Sequence, residues 1–192
     1  MSRIIAGSRG GRRIVMPNGA GTRPTTDRVR EALFSAIASW VGTASGPPDQ
    51  TLAGLAFCDL YAGSGAVGLE AASRGAGPVL LVEADRRTAA IAARNASTLQ
   101  LAVTVASQRV EHLLRQPPGS RYDVIFADAP YDLASDRVDA QLAAILAQHW
   151  LAPAGLVVIE RSRRTPPVTW PSPIEDTWTK TYGETTLSFG SL

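Results

Sequence analysis

The sequence predicts an α/β domain built on a mostly parallel, doubly wound sheet that ends in an antiparallel hairpin. Three observations predict it. From residue 55 onward, short apolar runs alternate with segments of helical periodicity. The first of these runs leads into a glycine-rich turn, Ala62-Gly63-Ser64-Gly65. The last two strand-like runs follow one another across Gly183-Glu184 with no helical segment between them.

Taken in order, Arg3-Ile4-Ile5 and Arg12-Arg13-Ile14-Val15 are β-prone runs separated by Gly7, Gly10 and Gly11, which predicts a small basic β-hairpin. Pro17, Asn18, Gly19 and Gly21 break it, so residues 1–22 read as an extension and 23–192 as the main domain. Arg23-Pro24-Thr25-Thr26 precedes a helix over 27–37, with Val29, Leu33, Phe34 and Ile37 on one face and Thr25 or Thr26 as its N-cap. Residues 42–49, rich in Gly, Ser and Pro, form a surface connection. Strands are then expected over 55–60, 79–83, 101–106, 122–127 and 155–160. Helices fall between them near 66–73, 86–99, 110–115 and 135–150. The Pro-rich patch 166–173 is a loop, and 177–182 with 185–189 make the closing hairpin.

At 192 residues the chain is long enough for one α/β domain with a small appendage. Hydrophobic residues at 45% and charged residues at 19% give an ordinary globular composition. No apolar run reaches the length of a membrane span and the first residues lack a signal-peptide core, so a cytoplasmic protein without membrane contact is expected. Nothing resembles an extended dimerisation seam, and a monomer is expected. Cys58 is the only cysteine, and His112 and His149 are the only histidines. Disulfides, zinc sites and cysteine–histidine nucleophiles are therefore unsupported, and no metal is expected. The net charge of +2 conceals an asymmetry. In the first 30 residues Arg3, Arg9, Arg12, Arg13, Arg23, Arg28 and Arg30 face Asp27 alone, a local +6 against −4 in the remainder. Arginine clustering without acidic partners points to phosphate contact.

Two strand ends carry chemistry. The glycines after Asp59-Leu60-Tyr61 permit a tight turn with close backbone approach to a ligand, to which Ser64 and the helix-start amides can donate. Gly63-Ser64-Gly65-Ala66-Val67-Gly68 also meets the dinucleotide pattern literally. However, about fifty residues precede the strand that leads into it, and the upstream Asp59 suits a ligand ammonium, which a pyrophosphate lacks. Glu83, twenty residues after Gly63 and ending the second strand beside Ala84, can accept both hydroxyls of a ribose. Gln108, after the third strand, lies where an adenine edge would be met. At the end of the fourth strand, Asp128-Ala129-Pro130-Tyr131 offers a carboxylate, two carbonyls and a ring to a flat, amine-bearing base.

In that order, Asp59-x-x-Ala62-Gly63-Ser64-Gly65, Glu83 and Asp128-Ala129-Pro130-Tyr131 resemble a Rossmann-like class I S-adenosylmethionine-dependent methyltransferase acting on exocyclic amines. The N-terminal string from Arg3 through Arg12, followed by Arg23-Pro24-Thr25-Thr26-Asp27-Arg28-Val29-Arg30-Glu31-Ala32-Leu33-Phe34, is more specific. It resembles the RsmD family, which methylates N2 of guanine 966 in bacterial 16S ribosomal RNA, and the resemblance spans nearly the whole chain. It implies S-adenosyl-L-methionine as cofactor, and 16S rRNA or a small-subunit assembly intermediate as partner. The cofactor would be held by Asp59, Ala62, Gly63, Ser64, Gly65, Glu83, Ala84, Gln108, Asp128 and Thr25.

The resemblance further implies that Asp128 and the Ala129 carbonyl accept the two N–H groups of the amine, with Pro130 shaping the turn and Tyr131 stacking on an unpaired base. RNA would be gripped by Arg3, Arg9, Arg12, Arg13, Arg23 and Arg28. Removing the residues before Arg23 is expected to weaken RNA binding and to spare cofactor binding. The family's usual tetrapeptide has proline at its second position. Ala129 keeps the carbonyl there and gives the loop more backbone freedom. Two other classes fit the residues: a DNA adenine or other nucleic-acid amino-methyltransferase, and a non-catalytic RNA-binding or ribosome-assembly protein.

Overall fold

A computed structural model describes residues 2–17, 26–130 and 132–192. The N-terminal hairpin pairs β1 (Ser2–Arg3) with β2 (Arg13–Ile14). It is followed by α1 (Asp27–Trp40), β3 (Phe57–Leu60), α2 (Ala66–Ser73), β4 (Val79–Val82), α3 (Arg86–Leu99) and β5 (Thr104–Ala106). Next come α4 (Val110–Leu113), β6 (Tyr122–Asp128), α5 (Ser135–Ala147), β7 (Leu151–Ser162), β8 (Asp176–Tyr182) and β9 (Thr185–Ser191). The large sheet has the order β5-β4-β3-β6-β7-β9-β8. Its first five strands are parallel, and β9 joins β7 and β8 antiparallel. The doubly wound sheet and closing hairpin are those the alternation predicts.

Helices cover both faces. Phe57, Leu81, Phe126, Val158 and Phe189 bury one face under Leu33, Phe34, Leu69 and Ala92 of α1, α2 and α3. Cys58, Val82, Ile125 and Ile159 bury the other under Val110 of α4 and Val138, Leu142 and Ile145 of α5. Alternate residues of each strand supply the two cores, because successive side chains point to opposite faces.

The element ends depart from the predicted ones for local reasons. Leu101 still closes α3, its N–H donating to the Ala96 carbonyl, so β5 starts only at Thr104. β7 begins at Leu151, which pairs with Tyr122 across an irregularity before Val124. Trp150 is drawn out of α5 to stack on Tyr122, with ring centroids 5.9 Å apart. Of the two candidate caps for α1, Thr26 accepts from the Val29 N–H, and Thr25 lies outside the described residues.

The hairpin is not a free extension. Ile4 and Ile14 are buried in the core beneath α1 and α2, and the amides of Ile5 and Ala6 donate to the buried carboxylate of Glu70 on α2. The proposed boundary at residue 22 itself lies outside the described residues. A glycine of α2 lets that helix lie close on the sheet. A Cβ on Gly68 would lie 2.1 Å from Leu81 Cδ2 and 3.2 Å from the Asp59 Cβ. Gly68→Ala is expected to lever α2 off the sheet at a cost of about 1–3 kcal/mol, read as a lower urea midpoint.

Candidate active site

The strand order reverses at β3, which has β4 on one side and β6 on the other, and a crevice opens there beyond the carboxyl ends of the strands. It holds a cavity of about 780 Å³, within the size range of small-ligand sites. Three of the segments singled out in the sequence converge on it. The end of β3 and the turn after it bring Asp59, Tyr61, Ala62, Gly63 and Ser64; the segment after β4 brings Glu83 and Ala84; the end of β6 and its loop bring Asp128, Ala129 and Pro130. Arg109, Val110 and Glu111 close the side at α4, and Asp132 and Leu133 complete the loop after β6.

The glycine turn is built as its sequence requires. Gly63 and Gly65 have φ of 55° and 83°, the left-handed region that glycine enters without strain. The turn is closed by Gly65 N–H donating to the Ala62 carbonyl and Ala62 N–H to the Val82 carbonyl. Gly65 occupies the N-cap of α2 and brings no side-chain cap; of the first turn, Gly68 donates its amide to Asp59, while Ala66 and Val67 line the cavity. Glu83 anchors this turn: one carboxylate oxygen accepts the Gly63 N–H at 3.0 Å, the other the Asp85 N–H at 2.8 Å. Asp85, not Glu83, caps α3. Each Glu83 oxygen keeps a further lone pair for a ligand hydroxyl.

Asp59 is almost fully buried and accepts the Gly68 N–H at 2.8 Å. Burial pushes its carboxyl up to about 8, the Gly68 bond opposes this, and the negative charges of Asp128 and Glu83 add to it. Asp59 therefore carries a proton at neutral pH. An unfolded aspartate ionises near ~4, so the folded state binds the extra proton between these values and stability falls as pH rises through them. Asp59→Asn, which keeps the acceptor for Gly68, is expected to flatten that slope in thermal midpoints measured from pH 5 to pH 8.

Asp128 stands at the last position of β6, half-buried, in register with Glu160 of β7. The loop beyond it is held without the missing proline. Ala129 is 3% exposed and packs into the α4–α5 core, Leu133 N–H donates to the Pro130 carbonyl, and the buried Arg161 guanidinium donates to the Leu133 carbonyl. Side-chain packing thus restrains the position that a ring would have stiffened. Tyr131 lies outside the described residues, as do Thr25 and Arg23.

Gln108 is half-buried and its N–H turns back to the Ala106 carbonyl; the cavity wall at this point is formed by Arg109 to Glu111. Among the basic residues, Arg3, Arg12, Arg13 and Arg28 are exposed. Arg9 is half-buried and its Nε donates to the Leu99 carbonyl at the end of α3. Two of these arginines do have acidic partners. Arg30 is buried against Asp27 and Glu70, and Arg3 lies 3.7 Å from Asp27. The excess positive charge on the surface is smaller than the sequence count implies. Composition hides this, because Glu70 is forty residues along the chain from Arg30.

Several site residues carry no motif. Met16 and Pro17 line the cavity from the N-terminal side. Tyr61 accepts from Gln141 of α5, which also donates to Glu111 of α4 at 3.3 Å, and burial pushes the Tyr61 phenol up to about 12. Among the described residues, no group of three or more His, Cys, Asp or Glu side chains is placed to hold a metal ion, and no helix is long and apolar enough to cross a membrane.

The family model described as conserved hypothetical protein 95 matches residues 2–191. The ribosomal RNA small subunit methyltransferase D of Escherichia coli is 34% identical over 160 residues, covering 82% of this chain and 73% of that protein. The solved structure of yhhF from Escherichia coli superposes with a TM-score of 0.81 at 30% identity, covering 99% of this chain and 97% of that one. The 16S rRNA N2 G1207 methyltransferase of Thermus thermophilus, solved with AdoMet and guanosine, shares the fold at a TM-score of 0.64 and 22% identity, over 88% of this chain and 44% of that one.

Proposed function

Because the chain belongs to the ribosomal RNA small subunit methyltransferase D family, we propose that it transfers the methyl group of S-adenosyl-L-methionine to the N2 amine of a guanine, of the guanine 966 class, in 16S rRNA. The observation that carries this reading is the convergence of Asp128, Glu83 and the Gly63 turn on one cavity at the point where the strand order reverses. The cavity fits the cofactor: a backbone turn open to close approach, a ribose acceptor in Glu83 and a buried carboxyl in Asp59. When bound, S-adenosylmethionine supplies an electrophilic methyl on a sulfonium.

The protein's own contribution is positioning and charge. Glu83 would hold the ribose hydroxyls on the lone pairs that Gly63 and Asp85 leave. Asp59 ionises more readily beside a cation, so donor affinity is expected to rise with pH toward about 8. The guanine amine is a poor nucleophile, its lone pair being delocalised into the ring. Asp128 and the Ala129 carbonyl accept its two N–H groups, which lets the nitrogen pyramidalise toward the methyl and stabilises the positive charge that develops on it. Asp128 then takes the released proton or passes it to water. Tyr131 supplies a stacking face for the extruded base.

Tritiated methyl transfer onto small-subunit RNA from a strain lacking this gene, followed by nucleoside identification, tests the assignment. Label in N2-methylguanosine alone is expected. Label in another nucleoside, or none despite tight RNA binding, overturns it. The exposed Arg12 and Arg13 are the RNA contacts best tested, since truncating the hairpin would also remove Ile4 and Ile14 from the core. Replacing both with Gln is expected to lower the salt slope of RNA binding by about 2 and to leave cofactor affinity unchanged.

A further inference from the structure

Asn95 lies in the third turn of α3 with 3% of its surface exposed, and neither the glycine turn nor the tetrapeptide gives it a role. A polar side chain at a buried helix position persists only where its hydrogen bonds are met. Here Oδ1 accepts the Val15 N–H at 2.9 Å, and Nδ2 donates to the Val15 carbonyl and to the Ser64 carbonyl, each at 2.9 Å. The amide thus pairs with Val15 as an adjacent strand would, and uses its second donor on the glycine turn. The two residues after Val15, Met16 and Pro17, form part of the wall of the same cavity that Ser64 borders.

We propose that Asn95 is a positioning residue that couples the N-terminal arm to the cofactor site, so that a ligand in the cavity and the docked arm stabilise one another. The coupling rests on the reading of the cavity as an S-adenosyl site. If the arm also contacts RNA, RNA and cofactor must raise each other's affinity by one common factor.

Hydrogen–deuterium exchange of the peptide containing Val15, with and without S-adenosylhomocysteine, is the direct test. Exchange in the native protein is expected to slow about fivefold or more on binding. In Asn95→Asp, which keeps the size and the acceptor but loses both donors, and in Asn95→Leu, the slowing disappears. The affinity for a 16S rRNA fragment is expected to rise by the same factor with S-adenosylhomocysteine, and not to rise in the variants.

Exchange in the native protein that is indifferent to the bound nucleoside overturns the coupling, and this comparison needs no variant to fold. Variants that retain the full slowing overturn the role of Asn95. A residue serving only as a structural pin would lower the thermal midpoint in both variants without any ligand-dependent exchange in the native protein. Slowed exchange without RNA affinity leaves the coupling standing and removes the RNA reading of the arm. Failure of S-adenosylhomocysteine to bind in a calorimetric titration overturns both the coupling and the reading of the cavity.

Discussion

Asp128→Asn is expected to lower methyl transfer by about a thousandfold or more while S-adenosylmethionine binds within about twofold of its native affinity. The amide fills the same space at the end of β6. It presents one acceptor where the carboxylate presents two, has no negative charge to set against the developing ammonium and takes no proton. A second consequence is specific to this cavity. The charge of Asp128 helps to hold the Asp59 carboxyl up at about 8, so its removal moves the rise of cofactor affinity with pH to lower pH. Single-turnover rates and a pH series of binding titrations measure the two effects separately. Loss of cofactor affinity in step with turnover would assign Asp128 to binding or structure and sink the catalytic role.

The largest stability effect is expected at Glu70. Its side chain is fully buried, accepts the amides of Ile5 and Ala6 and the Nε of Arg74, and faces the equally buried Arg30 at 3.9 Å. Glu70→Ala leaves Arg30 with only the half-exposed Asp27 as acidic partner and strands two backbone donors, at a cost of about 3–5 kcal/mol. Burial already depresses the Arg30 guanidinium from its ordinary range, with Glu70 and Asp27 opposing, so this charge is the one least able to lose a partner. Combining Glu70→Leu with Arg30→Met should cost less than the sum of the single changes, because neither charge is then abandoned. Urea midpoints of the four proteins give the coupling. Additive costs would show that the pair does not act as a unit.

Both predictions concern carboxylates, yet only one was legible in the chain. Asp128 stands in a four-residue pattern at the end of an apolar run, and the spacing from Gly63 to Glu83 follows from one strand–helix–strand unit. Glu70 sits inside an alanine-rich helical segment and carries no pattern at all. Asn95 is equally silent, since its partners Val15 and Ser64 lie 80 and 31 residues away. Ala129 is instructive in the opposite sense. The sequence suggested a loosened loop, whereas the fold buries its methyl group in the α4–α5 core and ties the following residues to Arg161.

Local order was therefore enough for the parallel sheet, the closing hairpin, the glycine turn and the acidic residues at the strand ends, because strand and helix periodicities and turn chemistry act over a few neighbouring residues. It was not enough to show that the basic hairpin is anchored in the core, that Arg30 is buried and neutralised, or that Met16 and Pro17 wall the cavity. Those features depend on which distant groups meet once both sheet faces are covered. A buried polar atom is satisfied by whatever the packed chain brings within about 3 Å, and nothing in its own sequence neighbourhood specifies that partner.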